Sequence, residues 1–304
     1  MSTVGPHDEL FKPYVPEDMA EFWAEAVEQA ENSPLDFKRS GTNDYLRSGF
    51  RVETLTFRGV KGEILKGWIA FPEGAHREPG FLWVAPYGRW SMMPNDYGTR
   101  EGFVSMSFNF FGESAFHEEE YVPRRGYFAE GVANPKDWIF RTMAQNAMIA
   151  MRVLQAQSEA DEDRLAAMGL SQGAGMAIWL GAWCKRVKCV VADFPFLGAM
   201  RWVLAQRVHR YPLKELTEFM DSIPLGREVV SHTLSYFDTV NQATFCDVPT
   251  LVTLGLKDPA VKPEQVRAVF DALPGEKKLE ELDWGHDWHP GMVQRNQEWL
   301  SQWL

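Results

Sequence analysis

The residues whose types and spacing most clearly suit a chemical role lie in GLSQGAG, at 169–175. This segment has the form G-x-S-x-G between a strand-like run and a helix-forming stretch, the setting in which a tight turn exposes a serine hydroxyl. Gly169 and Gly173 leave space for the turn, and the backbone N–H of Gln172 would face a developing negative charge. The pattern predicts a nucleophile at Ser171; a plain strand-to-helix turn is the alternative.

Such a serine needs a base, and the base needs an orienting acid, which in folds with this turn follow the serine in the order acid, base. Asp258 comes directly after the apolar run PTLVTLGL, although Asp-Pro after a strand is also a common turn. After Asp258 the sequence contains two histidines, His286 and His289. His286 follows the strand-like run KKLEELDW, whereas His289 stands where it could cap the last helix. We therefore predict Ser171, Asp258 and His286 as a catalytic triad for acyl transfer to water.

A second donor for the oxyanion is expected in the loop after the run FLWVAP, where the backbone N–H of Tyr87 is the candidate. The alternative is that Tyr87 is a pocket aromatic. Trp90 in the same loop, and Phe111 and Glu113 within FNFFGESAF, are predicted to line a substrate pocket. Packing within the strand and its flanking loop is an equally good explanation for the phenylalanines there.

The elements that must position these residues alternate between strands and helices. Five short apolar runs without polar alternation indicate strands covered on both faces, at 81–86, 103–110, 165–170, 187–194 and 249–256. Two earlier runs, 50–57 and 64–72, have Gly59 and Gly62 between them and predict a hairpin. Helical periodicity marks 16–31, 138–157, 173–185, 263–273 and 291–304. The alternation predicts an α/β protein with a mostly parallel, twisted sheet and helices on both faces.

Together with the serine motif, this order of elements predicts one α/β-hydrolase domain over residues 1–304. An N-terminal helix at about 16–31 precedes the sheet. The stretch 196–245 interrupts the rhythm and has a helical pattern rich in Arg, Trp, Phe and Tyr. We predict that it forms a helical insertion over the carboxyl ends of the strands, where a lid or a subunit contact is often found.

Composition limits the partners. The formal charge of −11 argues against nucleic acid, which proteins bind by neutralising phosphates with Lys and Arg. No apolar run approaches the roughly 20 residues of a membrane helix, and no secretory signal is visible at the N-terminus. Cys184, Cys189 and Cys246 contain no CxxC pair and are expected to be reduced core thiols. We predict a cytoplasmic protein with a small-molecule ester substrate, no membrane partner, no metal and no cofactor.

Several segments together resemble a known family, the acetyl xylan esterases and cephalosporin C deacetylases of the seventh carbohydrate esterase class. The resemblance runs nearly end to end and rests on EFWAEAVEQAENSPLDF, GLSQGAG, ADFPFL, TLSYFDTVN and GLKDPAVKP. It implies Ser171, Asp258 and His286 as nucleophile, acid and base, with Tyr87 and Gln172 as the oxyanion donors. It also implies removal of acetyl groups from short xylo-oligosaccharides and cephalosporin C, and a homo-oligomer, usually a hexamer.

Two positions depart from that family's pattern. Its Arg-Gly-Gln motif is replaced here by Phe111-Gly112-Glu113, and its His-Glu pair by His286-Asp287. The first change replaces a cation by an aromatic ring and adds a carboxylate beside the expected site. An esterase or thioesterase for another small acyl group therefore stays open, as does a non-catalytic binding module of the same fold. A peptidase of this fold typically carries a large accessory domain, for which the chain has no room.

Overall fold

A computed structural model describes residues 8–206 and 209–304. Within these ranges nine strands form one sheet in the order β1-β2-β3-β5-β4-β6-β7-β8-β9. The pairs β1–β2, β2–β3 and β3–β5 are antiparallel, and every other pair is parallel. The strands are β1 Phe37–Gly41, β2 Phe50–Arg58, β3 Ile64–Pro72, β4 Glu78–Val84, β5 Val104–Asn109, β6 Ala160–Leu170, β7 Val187–Asp193, β8 Thr250–Gly255 and β9 Lys277–Leu282.

Helices lie between the strands at the positions that the sequence periodicity predicts, with ends that differ by a few residues. In the described ranges they are α1 Met19–Asn32, α2 Ile139–Gln155, α3 Gln172–Trp183, α4 Met200–Ala205, α5 Leu213–Ser222, α6 Gly226–Ser235, α7 Thr239–Ala243, α8 Pro263–Ala272 and α9 Pro290–Trp303. A short 3-10 helix, Asp8–Phe11, precedes α1. No helix in the described part of the chain is both long and apolar enough to cross a bilayer.

The sheet separates two apolar layers, because successive side chains of a strand point to opposite faces. In β4, Leu82 and Val84 belong to the layer that also contains α1, α2, α3 and α8. Phe81 and Trp83 belong to the opposite layer, which α9 covers through side chains such as Leu300. Every residue of β5 and β8 is buried, as expected for strands covered on both sides. The predicted mostly parallel α/β architecture is confirmed.

Strand β1 was not predicted from the sequence. Its residues FKRSG are mostly exposed, and the strand pairs with β2 alone at the edge of the sheet. A short edge strand buries little, so it needs no apolar pattern and leaves none to detect. The hairpin of β2 and β3 forms as predicted, in register from Phe50 opposite Pro72 to Arg58 opposite Ile64.

The segment between β7 and β8 contains the helices α4 to α7 and corresponds to the predicted insertion. Its anchor is Asp238, a fully buried carboxylate before α7. Asp238 accepts hydrogen bonds from the hydroxyl of Tyr14 at 2.7 Å and from the backbone N–H groups of Ala199 at 2.9 Å and Met200 at 2.6 Å. Burial raises the pKa of Asp238 to about 6. The N-terminal segment and the insertion are thus joined at one carboxylate.

Candidate active site

Ser171 stands on the turn between β6 and α3 with φ 57° and ψ −119°, a region that residues with a side chain rarely adopt. The two flanking glycines allow this turn. A Cβ atom on Gly169 would collide with the backbone of Gly173, and a Cβ on Gly173 would collide with the carbonyl oxygen of Val84. The start of α3 therefore lies directly against the end of β4, as the G-x-S-x-G pattern predicts.

Hydrogen bonds from the neighbouring strand hold the turn. The Ser171 N–H donates to the carbonyl oxygen of Asp193 at 2.8 Å, and the Ser171 carbonyl accepts from the Phe196 N–H at 3.0 Å. The fully buried side chain of Asp193 accepts from the Thr253 hydroxyl at 2.6 Å and from the Asn296 amide at 2.9 Å. Burial raises the pKa of Asp193. The serine backbone is thereby linked through Asp193 to β8 and α9.

The three residues predicted as a triad lie together in the structure. The His286 Nε2 atom is 2.9 Å from Ser171 Oγ, and His286 Nδ1 is 2.6 Å from Asp258 Oδ2. The other oxygen of Asp258 accepts the N–H groups of Ala260 at 2.7 Å and Val261 at 2.8 Å. The carboxylate side chain is buried, whereas the imidazole is one-fifth exposed. Hydrogen bonds on both sides thus fix the orientation of the histidine ring.

His289, the other histidine after Asp258, has a structural position. It precedes α9, and its Nδ1 atom accepts the N–H of Gly291 at 3.0 Å. Its ring packs edge-on against Trp284, with 5.0 Å between the ring centres. A nitrogen engaged with a helix N-terminus is unavailable as a base for a serine. The choice of His286 over His289 therefore agrees with the hydrogen bonds.

The candidate oxyanion donors, the N–H groups of Tyr87 and Gln172, lie at the adjacent ends of β4 and β6, which pair in parallel at Val84 and Gly169. Gln172 is the first residue of α3, where an N–H has no acceptor within the helix. Neither N–H hydrogen-bonds to a group within residues 8–206 and 209–304. The prediction that both N–H groups bind an oxyanion is therefore compatible with the hydrogen bonds of the described residues.

The three residues predicted to line the pocket follow the ends of β4 and β5. The indole N–H of Trp90 donates to the Tyr87 carbonyl at 3.0 Å. The ring of Phe111 packs against Tyr127, with ring centres 4.5 Å apart, and the guanidinium of Arg89 lies 4.2 Å above it. Glu113 and Phe111 are both half-buried. Phe111 therefore packs against other side chains, and both Phe111 and Glu113 remain partly exposed, so the structure is compatible with both explanations for this loop.

Two residues near the serine were missed from the sequence. Tyr127 contacts Gln172 and Gly88 through its hydroxyl, and Glu215, in α5 of the insertion, contacts the segment that carries Tyr127. Both lie in stretches without a motif, far along the chain from the residues they touch. Their positions follow from the tertiary fold, so no local signal could have indicated them.

Cys184, Cys189 and Cys246 are buried free thiols, as expected. Burial raises the pKa of Cys189 to about 12 and that of Cys246 to about 11, so neither is a reactive thiolate. Among residues 8–206 and 209–304, no group of three His, Cys, Asp or Glu side chains is arranged to hold a metal ion.

The sheet order, the parallel strands and the serine on the β6–α3 turn define an α/β-hydrolase fold. Residues 10–304 match the family model of acetyl xylan esterase (AXE1), and the chain belongs to that family. The resemblance to the acetyl xylan esterases is thus confirmed.

Individual relatives agree with this assignment. The chain is similar to an acetyl esterase, Axe7A, of Xylanibacter ruminicola, with 22% identity over 288 residues, which is 90% of this chain. It spans 64% of that protein's length. Among solved structures, the acetyl xylan esterase from Paenibacillus sp. R4 superposes with a TM-score of 0.87 at 23% identity, covering 99% of this chain and 100% of that one. Acetyl xylan esterase 1 from Thermoanaerobacterium sp. JW/SL YS485 gives 0.81 at 22% identity, covering 99% of each chain.

Proposed function

We propose that this protein is a serine esterase that removes short acyl groups, acetyl above all, from sugars or other small alcohols. The observation that carries the proposal is the continuous hydrogen-bonded chain from Ser171 Oγ through His286 to Asp258, at 2.9 and 2.6 Å. Membership of the acetyl xylan esterase family supports the acetyl group and the sugar.

In the first half of the reaction, His286 Nε2 takes the proton of Ser171 as Oγ attacks the ester carbonyl carbon. The carbonyl oxygen becomes an oxyanion and accepts hydrogen bonds from the N–H groups of Tyr87 and Gln172. When the tetrahedral species collapses, the carbon–oxygen bond to the alcohol breaks and His286 gives its proton to the leaving alcohol. Asp258 keeps Nδ1–H of the imidazole directed at itself, so that Nε2 is the basic nitrogen.

In the second half, water attacks the acyl-serine and gives a proton to His286. The acid leaves and Ser171 Oγ regains that proton. Each oxyanion donor contributes about 3 kcal/mol to the stability of the tetrahedral species, by analogy with serine proteases. Since the donors are backbone groups, a side-chain substitution at either position does not remove the N–H group itself.

The substrate pocket belongs to the same proposal. Trp90 and Phe111 provide apolar walls, and Glu113 brings a negative charge to the loop after β5. Such a site favours neutral esters over anionic ones, because two like charges 4 Å apart repel by about 1 kcal/mol in water and by more where water is excluded.

The proposal also includes assembly into a homo-oligomer, as the family resemblance implies, and a cytoplasmic location, with which three reduced, buried thiols agree. Light scattering at micromolar concentration tests the assembly. A single species of 34.7 kDa, the mass of one chain, would contradict it.

The function is tested with a neutral chromogenic acetate ester and with acetylated xylo-oligosaccharides. Ser171→Ala and His286→Ala should each lower kcat by at least three orders of magnitude, and the double variant should lose no more than either, because the triad acts as a unit. The control is His289→Ala, which removes a histidine that caps α9 and should keep most of kcat. A large loss in the control with a mild loss in His286→Ala would refute the assignment of the base.

The alternatives give different results in the same assays. A thioesterase would hydrolyse a thioester with a higher kcat/KM than the matching oxygen ester. A binding module would hydrolyse neither, and a fluorophosphonate would leave Ser171 unlabelled in mass spectrometry.

A further inference from the structure

The two candidate oxyanion donors belong to different segments of the chain, and one phenol connects those segments. The Tyr127 hydroxyl accepts the backbone N–H of Gly88 at 3.2 Å and donates to the side-chain oxygen of Gln172 at 3.2 Å. Gly88 directly follows Tyr87, the donor on the β4 loop, and Gln172 is itself the donor on α3. A single hydroxyl group thus spans the gap between the two donors.

The Gln172 side chain depends on this hydroxyl. The residue is fully buried, and its Nε2 atom has no hydrogen-bond partner within the described parts of the chain. Its Oε1 atom bonds to Tyr127. Without the phenol, the amide would lose this hydrogen bond beside the nucleophile, and buried polar groups strongly favour conformations in which they are paired. The Gln172 side chain would then move to find another hydrogen-bond partner, and its backbone N–H would move with it.

Tyr127 is itself held firmly. Its ring packs between Phe111 and Tyr87, with ring centres at 4.5 and 4.8 Å. Burial raises its pKa, so the hydroxyl keeps its proton and remains a donor to Gln172 at neutral pH.

The main chain on both sides of Tyr127 is bound by the buried carboxylate of Glu215, in α5 of the insertion. Glu215 accepts the N–H groups of Gly126 at 2.8 Å and Phe128 at 2.9 Å, and also the hydroxyl of Tyr87 at 3.2 Å. A rigid partner is required if a hydrogen bond is to set a distance in an active site. The insertion supplies it here.

We propose that Tyr127 is a positioning residue that sets the spacing of the Tyr87 and Gln172 N–H groups, and that Glu215 holds Tyr127 in place from the insertion. This inference rests on the proposed esterase function. Oxyanion donors act chiefly on the tetrahedral species, so a loss of their spacing lowers kcat and leaves KM nearly unchanged. A residue that merely packs in the core would alter stability without this kinetic signature.

The test is Tyr127→Phe, which removes the hydroxyl and keeps the ring, compared with Tyr236→Phe. Tyr236 is also buried and donates its hydroxyl to Asp18 at 2.7 Å, away from the serine. We expect Tyr127→Phe to lower kcat at least tenfold on a neutral acetate ester with KM within twofold. Its affinity for a boronic acid, which forms a tetrahedral adduct with the serine, should fall in parallel. Tyr236→Phe should keep kcat within twofold at a similar melting temperature.

A second variant covers the case in which Tyr127→Phe folds poorly. Gln172→Met keeps the backbone N–H and the approximate volume but removes the acceptor of the Tyr127 hydroxyl. It should show the same fall in kcat, and the double variant should lose little more than either single variant, because both remove one hydrogen bond. The proposal is overturned if either folded variant keeps kcat within twofold, if the loss is all in KM, or if the losses simply multiply.

Failure of this inference can be told apart from failure of the proposed function. If the wild-type protein hydrolyses no ester and a fluorophosphonate does not label Ser171, the esterase proposal is wrong and the role of Tyr127 falls with it. If the wild type is an active esterase and Tyr127→Phe matches it, the positioning role alone is wrong.

Discussion

Replacing the Cβ-bearing residue at position 171 by glycine should destabilise the fold far less than replacing a buried alanine by glycine elsewhere. Ser171 has φ 57° and ψ −119°, which costs a residue with a Cβ about 1–3 kcal/mol. Glycine escapes this cost. The relevant comparison is between Ser171→Ala and Ser171→Gly, since both lack the hydroxyl and its hydrogen bond to His286.

The magnitude follows from three contributions. Going from alanine to glycine at position 171 loses one buried methyl group, about 0.8 kcal/mol. It also makes the unfolded chain more flexible, which costs about 0.4–1 kcal/mol. Relief of about 1–3 kcal/mol of backbone strain opposes these losses. The two variants should therefore have free energies of unfolding within about 2 kcal/mol of each other, and Ser171→Gly should be the more stable of the two if the strain is near the upper end of its range.

Ala177→Gly in the middle of α3 is the matched control. Ala177 is fully buried in a regular helix, so the same change loses the methyl group and about 1 kcal/mol of helix propensity with no strain to relieve. Urea unfolding of the four proteins should show a cost of about 2 kcal/mol for Ala177→Gly relative to wild type. If the free energy of unfolding of Ser171→Gly lies below that of Ser171→Ala by as much as Ala177→Gly costs the wild type, the backbone at Ser171 carries no strain and our account of the turn is wrong.

Three further predictions concern charged residues. Glu215→Gln places an amide donor against groups that already donate. It should lower the free energy of unfolding, measured by urea titration, by about 3 kcal/mol, because each charged hydrogen bond lost costs about 1.5–3 kcal/mol. A loss as small as that of the control variant Glu228→Gln, on α6, would contradict this. Because burial raises the pKa of Asp238 to about 6, the folded protein binds a proton at this group between about pH 4 and 6 that the unfolded chain releases. The stabilising contribution of this proton is present below pH 4 and is lost as the pH rises through 6. Asp238→Asn should therefore lower the free energy of unfolding by ~1.4 kcal/mol more at pH 5 than at pH 7.5. Equal losses at the two pH values would refute the raised pKa of Asp238. Finally, Glu113→Gln should raise kcat/KM for an anionic acetate ester severalfold relative to a neutral one, as about 1 kcal/mol of repulsion implies; an unchanged ratio would remove Glu113 from the pocket.

The grouping of Ser171, Asp258 and His286 could be predicted because each residue follows a strand that the apolar pattern of the sequence indicates. Parallel strands bring their carboxyl ends to one edge, so residues far apart in sequence meet there by topology alone. The role of the glycines near Ser171 could also be predicted, because the tight turn leaves no space for a side chain at either position.

Tyr127 and Glu215 could not be found in this way. Glu215 looks from the sequence like any acid of an amphipathic helix, and its burial is visible only when α5 packs against the segment at 126–129. Tyr127 has no neighbour in sequence that predicts a hydroxyl aimed at Gln172. Strand β1 was missed because an exposed edge strand carries no apolar pattern, whereas the buried strands were found from theirs.

The link from Ser171 through Asp193 to Asn296 has a consequence for synthesis of the protein. A chain leaving the ribosome presents the serine long before the histidine, and before the helix that fixes Asp193. A nascent chain that has folded only its first six or seven strands therefore holds a serine without a base, on a turn whose supporting carboxylate has yet to meet its amide partner. Because the candidate base His286 follows β9, a chain folded only through β7 cannot complete the proposed triad.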